Sequence, residues 1–392
     1  MNDNLSSSHR LSCDKLAGNA PGLGGAGALT HPGRSLANLA RLLAERLLCF
    51  FLPLATLSFY LSGPHVWDAA LLWTLPVWLC VAADAFSPAT HRNPPAEGPD
   101  WPFDAALYLL TILQVANIVL MLDLVSRLGW STPGEIGGSL ANLFAVRILT
   151  GTTSCCSAIA VAHELIHRRK HHQRWMGRLL LWTVCYDHFA VEHIQGHHRH
   201  AGTPEDYATA RYDETYSDFW RRTVKGQFTN AWRLENARLA QRPKLTRLSR
   251  HRVLHGLIIQ GSLVAVIFVC FGAVVGLMFL YQAFYALRLL ESVNYFQHWG
   301  LSRAGKRFSG PDAWVTDSWF TLHAFVGLSR HADHHRFGNK PYHRLHYNDE
   351  GPRLPYGYFV MYILAKFFND RYRELARREL QAKGLGPFRK ET

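Results

Sequence analysis

The sequences HELIH (163–167) and EHIQGHH (192–198) carry the first five of nine histidines that fall in four clusters. The other four histidines lie in NYFQHWG (294–300) and HADHH (331–335). Each multi-histidine cluster has members three or four residues apart, so on a helix these imidazoles share one face. Neutral imidazole is the commonest metal ligand among side chains, and a zinc site needs at most four such donors. Nine donors therefore predict a dinuclear centre of a redox metal, with two iron ions as the expected cofactors. The predicted metal ligands are His163, His167, His193, His197, His198, His298, His331, His334 and His335.

Six apolar stretches predict an all-α fold, a six-helix transmembrane bundle with a cytosolic, histidine-rich helical cap. Each stretch is near the lower length limit for crossing a hydrocarbon core about 30 Å thick. One such stretch alone could equally be a buried helix of a soluble protein, but six in this arrangement favour membrane spans. The expected spans are residues 42–62, 66–86, 104–122, 136–162, 253–271 and 274–295.

The distribution of charge predicts the orientation of this bundle. The formal net charge is +13, and between His163 and Arg252 there are 17 Lys and Arg against 9 Asp and Glu. A basic block between hydrophobic stretches indicates a cytosolic loop beside the lipid bilayer, and no nucleic-acid-binding motif accompanies it. With the N-terminus inside, all four histidine clusters meet at the cytosolic face. We therefore expect a multi-pass protein of the inner (cytoplasmic) membrane with its active site on the cytosolic side.

The sequence also predicts how the chain is divided into a tail and a membrane domain. Residues 1–35 are rich in small and polar residues without periodicity, which predicts a disordered tail and leaves 36–392 as one integral-membrane domain. The tail has no continuous apolar segment of the kind found in signal peptides. None of the seven cysteines forms a CxxC pair, so no rubredoxin-like domain is predicted within the chain. The electron donor is therefore expected to be a separate protein.

Arg147 places a charge within the fourth apolar stretch. At 1.5 Å per residue it lies about 24 Å from His163 along a helix. This distance predicts a position near the outer interface, where its guanidinium could reach polar headgroups.

HELIH by itself also matches the HExxH pattern of zinc proteases, in which the glutamate is the general base. That interpretation leaves His193, His197, His198, His331, His334 and His335 without a role. Ligating histidines usually donate their second N–H to a carboxylate or a carbonyl. Four acids are therefore expected around the ligands, although ordinary solvated charge is the alternative and applies best to Asp206. These acids are Glu164, Glu192, Asp206 and Asp333.

Longer motifs around the histidines resemble those of the membrane alkane 1-monooxygenases, within the superfamily of integral-membrane fatty acid desaturases and hydroxylases. The similarity extends from about residue 70 to 365. Histidine clusters alone indicate the superfamily, whereas NYFQHWGL, TPED and LPYGY narrow the resemblance to the alkane hydroxylase branch. The motifs are HELIH (163–167), HFAVEHIQGHHRH (188–200), TPED (203–206), NYFQHWGL (294–301), LSRHADHH (328–335), LPYGY (354–358) and Asp84 nine residues before NPP (93–95).

This resemblance implies a di-iron centre with the nine histidines as ligands. It also implies O2-dependent terminal hydroxylation of an alkane or similar hydrophobic substrate, with electrons from rubredoxin and rubredoxin reductase. Tyr207, Gln297, Ser329 and Ala332 depart from the family pattern, and none of them is a predicted ligand. The departures leave the substrate open between an alkane, an aromatic methyl group of the xylene type, and a fatty-acyl chain to be desaturated or hydroxylated.

One stripe of the second span is expected to line the substrate channel. Trp73, Val77, Cys80 and Asp84 stand at i, i+4, i+7 and i+11, so they share a helix face. The resemblance around Asp84 fixes the register of this span. Trp73 would then close an apolar channel that runs away from the metals, although a simple packing role is the alternative.

Overall fold

The computed structural model describes residues 44–94, 99–303 and 305–389. The expected tail at residues 1–35 and the start of the first span lie outside these residues. Six helices in the described part are long and apolar enough to cross a membrane, which confirms the predicted six-helix transmembrane fold. In chain order, the first to sixth spans are Ala44–Ser62, Trp67–Ala85, Trp101–Ser126, Pro133–Ile166, Arg252–Phe271 and Ala273–His298.

Local sequence signals explain where the spans begin and break. The fourth span starts after Thr132, whose hydroxyl accepts a hydrogen bond from the Glu135 amide at 3.2 Å, with a proline in its first turn. The second span is interrupted at Trp73 and restarts at Leu75, because the following proline cannot donate to the preceding turn. Gly272, with a φ of 84°, makes the tight turn between the fifth and sixth spans.

The fourth span is the core of the bundle. Of its apolar window 89% is buried, whereas the corresponding share is 22–44% for the other five spans. It contains a π-helical segment, Ser154–Ile159, and it packs along the sixth span, where Gly151 leaves room for the ring of Tyr285. The fourth and sixth spans run in the same direction, so HELIH and His298 lie at the same end of the bundle. We call this the histidine end.

The cap at the histidine end is formed by two stretches of chain, one between the fourth and fifth spans and one after the sixth. Both stretches fold into helices that are shorter or more polar than the spans. Their main helices are His171–Thr183, Phe189–Glu192, His198–His200, Tyr216–Leu239, Lys244–Arg250, Trp319–Ala324, His331–Arg336, Tyr358–Phe367 and Asn369–Lys383.

Asp84 ties the second span to the C-terminal part of the cap. Its buried carboxylate accepts hydrogen bonds from the hydroxyls of Ser318 and Thr321 at 2.8 and 2.7 Å. It also accepts from the amides of Phe359 and Val360, at 3.0 and 3.3 Å. A carboxylate with this many donors is a structural anchor. The structure thus gives Asp84 a structural role that the sequence did not predict, because its partners are distant in the chain.

Glu291 makes a second anchor, between the sixth span and the cap helix Tyr216–Leu239. It is fully buried and accepts hydrogen bonds from Tyr186 at 3.0 Å, Gln227 at 2.9 Å and Asn294 at 3.0 Å. Buried carboxylates are tolerated only when such donors satisfy them. These two anchors fix the cap on the bundle, and with it the histidines that the cap carries.

Candidate metal centre

The nine predicted ligands converge into two groups of buried or nearly buried side chains at the histidine end. Within each group, one ring nitrogen of every histidine lies within 4.8 Å of those of the others. Each group combines histidines from the spans with histidines from the cap. The five-histidine group is His163, His167, His193, His198 and His334, and the four-histidine group is His197, His298, His331 and His335.

In the five-histidine group, three Nε2 atoms meet at one point. His198 Nε2 lies 3.1 Å from His193 Nε2 and 3.1 Å from His334 Nε2. The ring of His163 lies 4.5 Å from that of His193 and 4.3 Å from that of His334, between centroids. One Nε2 cannot donate a single proton to two such neighbours at once. The arrangement is therefore poor as a hydrogen-bond network.

The four-histidine group shows the same close approach. His298 Nε2 lies 2.9 Å from His331 Nε2, and the rings of His331 and His335 lie 4.3 Å apart. The ring of His197 completes the group, 5.0 Å from that of His298. This group thus draws on the sixth span and both parts of the cap.

A π-helical turn distributes the histidines of EHIQGHH between the two groups. Residues His193–His197 form a π-helix, in which residues five apart come to lie on one side. His193 and His198 accordingly enter the five-histidine group, whereas His197 enters the four-histidine group. His193 and His197 are neighbours, as their four-residue spacing predicts, with ring centroids 5.3 Å apart, but they do not enter the same group. HADHH divides similarly, with His334 in one group and His331 and His335 in the other.

Burial keeps these imidazoles neutral. It lowers the pKa of His167 to about 4 and places the pKa values of His193 and His334 well below the usual one, with neighbouring imidazoles adding repulsion. At His197 burial also opposes the charged form, but Asp206 outweighs it and raises the pKa. Neutral imidazole is the form that offers a lone pair to a metal.

Several buried ring nitrogens have no hydrogen-bond partner within the described part of the chain. These include Nε2 of His163, His167 and His197, and both ring nitrogens of His335. A buried polar atom without a partner costs about 1–3 kcal/mol, and a cluster of such ring nitrogens is the arrangement expected of metal ligands. Two nitrogens bound at about 2.1 Å to one ion, at right angles, lie about 3.0 Å apart. The observed Nε2 separations match this value, so the residues fit two metal ions.

Of the four predicted acids, Asp206 makes the direct contact with a candidate ligand. Its Oδ2 lies 2.9 Å from His197 Nδ1 and accepts from the Thr209 hydroxyl at 2.6 Å. Asp206 is only 4% exposed, so the solvated alternative does not apply to it. A carboxylate on Nδ1 holds the proton there and turns the Nε2 lone pair toward the metal.

The other three acids are engaged elsewhere in the described structure. Glu164 pairs with Arg168 at 2.7 Å and accepts from the Tyr342 amide. Asp333 pairs with Lys340 at 2.7 Å. Glu192 accepts from the Asn230 side chain at 3.3 Å, while burial and then Asp206 raise its pKa to about 8. These acids position helices around the centre rather than bonding to its histidines.

Two aromatic residues that the sequence analysis did not single out also hold histidine rings. Phe189 stacks on His193 with ring centroids 4.7 Å apart, and Phe308 stacks on His335 at 4.5 Å. Phe189 precedes His193 by four residues, a helical spacing that was available in the sequence. Phe308 lies in a loop, and nothing in its sequence context indicates the contact.

A cavity of about 20 Å³ adjoins both histidine groups. It is lined by His163 and His193 from one group and His331 from the other, and its remaining wall is mainly apolar. The predicted channel residues Trp73, Val77, Cys80 and Asp84 are not part of this wall. Besides the three histidines, the residues that line the cavity are Cys155, Ile159, Ala160, Phe189, Leu290, Val293, Asn294, Gln297 and Leu328.

Comparison with known proteins agrees with this geometry. Residues 138–364 match the fatty acid desaturase family. The chain is 33% identical over 284 residues to alkane 1-monooxygenase 2 of Pseudomonas aeruginosa, which covers 70% of this chain and 75% of that protein. It is 30% identical over 330 residues to alkane 1-monooxygenase 1 of Alcanivorax borkumensis, covering 81% and 80%. A xylene/toluene monooxygenase hydroxylase component of Pseudomonas putida is 24% identical over 324 residues, covering 80% and 84%. The chain therefore belongs to the alkane 1-monooxygenase family, within the wider fatty acid desaturase family.

Proposed function

We propose that this protein hydroxylates the terminal methyl group of an alkane or a similar hydrophobic molecule, using O2 at a di-iron centre. The observation that carries the proposal is the pairing of a five-histidine and a four-histidine group beside one small, mainly apolar cavity. Membership in the alkane 1-monooxygenase family supports the reaction class.

In this proposal each histidine group holds one iron ion, with all nine histidines as ligands. The two ions, when bound, supply the reduction of O2 that the reaction requires. One oxygen atom enters the C–H bond of the substrate to give an alcohol, and the other leaves as water with two electrons and two protons from outside. The protein's share is to hold the ligands, exclude bulk water and aim one methyl group at the metals.

Specific residues support these roles. Asp206 retains the Nδ1 proton of His197 and so keeps its Nε2 free for the metal. Leu290 and Val293 give the cavity an apolar wall, which favours a hydrocarbon over water. Asn294 and Gln297 are its polar members, and both are held by neighbouring side chains, through Glu291 and Tyr358.

We also propose that three residues of the second span line the substrate channel. Val77 and Cys80 are buried, and Trp73 is half-buried with its ring 5.9 Å from Phe59 and 5.6 Å from His65. Trp73→Ser would then remove a plug and admit longer alkanes. Each extra buried methylene contributes about 0.8 kcal/mol, so a few carbons shift preference by about a factor of ten or more.

The product profile on alkanes from octane to hexadecane measures this effect. Trp78→Ser is the matched control, since Trp78 lies in the same span but is 52% exposed. A folded, active Trp73→Ser variant with the wild-type chain-length optimum would remove Trp73 from the channel.

For the electron donor we propose rubredoxin, reduced by rubredoxin reductase and docking on the cap. Arg169 and Lys170 are exposed basic residues close to HELIH, whereas Arg168 is held by Glu164 and Asp104. Attraction between such a surface and an acidic partner is screened over about 8 Å at physiological salt. Turnover at limiting rubredoxin should therefore fall as salt rises, and full turnover without any added carrier would contradict the proposal.

We also propose that the protein lies in the inner membrane with the histidine end in the cytosol. The basic excess between the fourth and fifth spans supports this orientation. A thiol introduced as Lys170→Cys should react with an impermeant maleimide in inside-out vesicles and not in intact spheroplasts. The reverse labelling pattern would invert the orientation.

Two alternative activities give different products. The similarity to the xylene/toluene monooxygenase component favours an aromatic methyl group as the second candidate substrate, and a fatty-acyl chain is the third. A zinc protease is disfavoured because Glu164, which would be its general base, is buried and held by Arg168 and the Tyr342 amide. Product analysis after supply of alkanes, xylenes and fatty acids with isotopically labelled O2 decides between them. We expect labelled 1-alkanols, and label only in methylbenzyl alcohols would reassign the substrate.

A further inference from the structure

Three cations on one side of the bundle have no acidic partner among the described residues. They are Arg147 in the fourth span, Arg288 in the sixth span and Lys366 in the helix Tyr358–Phe367. In the part of the chain that the structure describes, none of them forms an ion pair with Asp or Glu, and Arg147 Nε is buried without a hydrogen bond. The neighbouring helix Asn369–Lys383 differs, because its Arg373 is paired with Asp370 at 2.6 Å.

Aromatic rings hold these cations in a shared frame. The ring of Tyr285 lies between two of them, with its centroid 5.3 Å from Arg147 Cζ and 5.3 Å from Lys366 Nζ. Arg288 Cζ lies 4.9 Å from the ring of Tyr216 and 4.7 Å from that of a neighbouring tryptophan. Cation–π contacts of this kind orient a guanidinium or an ammonium but leave its charge uncompensated.

The cations are close enough to repel one another. Burial and, to a lesser extent, the charges of Arg288 and Arg147 lower the pKa of Lys366 to about 8. Like charges that are partly buried need a counter-charge, and the described chain supplies none here. The geometry therefore calls for an anion from outside the chain.

The depth of the three cations in the bilayer indicates where that anion lies. Arg147 and Arg288 lie about 21 Å from the far ends of their spans, by the helical rise. That is past the middle of a core about 30 Å thick, on the side of the histidine end. The prediction of Arg147 near the outer interface was counted from His163, whereas counting from the far end of the 34-residue span gives this deeper position. Exposed aromatic residues surround the cluster, notably Phe284 and Phe367, at 48% and 62% exposure.

We propose that Arg147, Arg288 and Lys366 bind the phosphate of an anionic phospholipid in the leaflet at the histidine end. Guanidinium groups suit phosphate oxygens through paired N–H donors, and an ammonium adds a point charge. Basic clusters between transmembrane helices near a membrane surface are typical of sites for anionic lipid headgroups. The exposed Phe284 and Phe367 offer an apolar surface for the acyl chains.

Native mass spectrometry of the full-length, iron-loaded protein tests this site. The probes are phosphatidylglycerol and phosphatidylcholine with the same acyl chains. Wild type should retain phosphatidylglycerol in preference to phosphatidylcholine. Arg288→Gln and Lys366→Gln should each weaken phosphatidylglycerol binding roughly fivefold, the equivalent of one surface cation, without changing phosphatidylcholine. Arg127→Gln is the matched control, because Arg127 lies at the other end of the bundle and is paired with Asp123 at 2.9 Å.

A charge-conserving variant and competition by inorganic phosphate complete the test. Lys366→Arg keeps the charge and should bind phosphatidylglycerol as wild type does, and retained iron content shows that each variant is folded. Equal phosphatidylglycerol binding by wild type and both glutamine variants would overturn the site. Displacement of the lipid by millimolar inorganic phosphate, with no dependence on acyl chains, would assign a free-anion site and overturn the lipid.

Discussion

The two histidine groups are built by different means although they lie side by side. The five-histidine group is held by mutual packing of its rings, and in the described chain none of its members bonds to a carboxylate. The four-histidine group has one donor fewer but contains His197, which is oriented by Asp206 at 2.9 Å. An ion with four protein ligands keeps more positions open than one with five. The difference indicates that an ion in the four-histidine group would depend more on each of its ligands and on Asp206.

The largest expected effect comes from removing one histidine of either group. His334→Ala and His197→Ala should each abolish hydroxylation and lower bound iron, because each opens a coordination position and leaves a void among buried imidazoles. His323→Ala is the matched control, since His323 contacts Trp319 and belongs to neither group. Iron analysis and product formation are measured together. Full activity with full iron in either ligand variant would contradict the assignment.

The same substitution should act unequally in the two groups. His331→Ala leaves three histidines in its group, whereas His167→Ala leaves four in the other. We expect His331→Ala to lose one of two iron ions on dialysis, and His167→Ala to lose a smaller share of its iron. Iron per chain before and after dialysis gives the answer. Equal loss from both variants would remove the proposed asymmetry.

Asp206→Asn tests the difference between the two histidine groups without removing a ligand. Outer carboxylates of this kind typically contribute 10–100-fold to metal affinity, so one iron ion should bind about 10–100-fold more weakly. Asp333→Asn makes the same chemical change within HADHH but breaks a pair with Lys340, so it should leave both affinities nearly unchanged. Chelator titration of the two variants measures this. If the titration curves of Asp206→Asn and Asp333→Asn coincided, Asp206 would have no special role in iron binding.

The smallest effect concerns the π-helical turn that separates His193 from His197. A Cβ at Gly196 would lie 2.6 Å from Glu192 Oε1 and 2.7 Å from Asn230 Nδ2. Gly196→Ala should therefore cost about 1–3 kcal/mol by overpacking, seen as a lower melting temperature. Gly261→Ala, where nothing lies within 4 Å, is the control and should be neutral. A stable Gly196→Ala variant would mean that the turn adapts readily.

The sequence predicted the bundle well because spans and capping signals are local. Apolar length located all six spans, and Thr132-Pro133 marks the start of the fourth. The partition of the histidines was not predictable, because α- and π-helical turns have similar sequences but different side-chain directions. His197 and His198 are adjacent in sequence and yet enter different groups.

Long-range contacts account for the other differences. Asp84 was expected in a channel, but its donors Ser318 and Thr321 lie far away in the chain. Asp206 is one of the four acids expected around the ligands, with solvated charge as the alternative, and the fold buries it against His197. Local patterns carry no record of such contacts, which only the assembled cap creates.

The central claim is that the nine histidines hold two iron ions. Elemental analysis of the purified, full-length protein tests it most directly, with iron and zinc measured per chain on the same sample. We expect two iron ions per chain, and a loss of iron in His298→Ala that His323→Ala does not show. A single zinc ion per chain, or unchanged iron in His298→Ala, would contradict it.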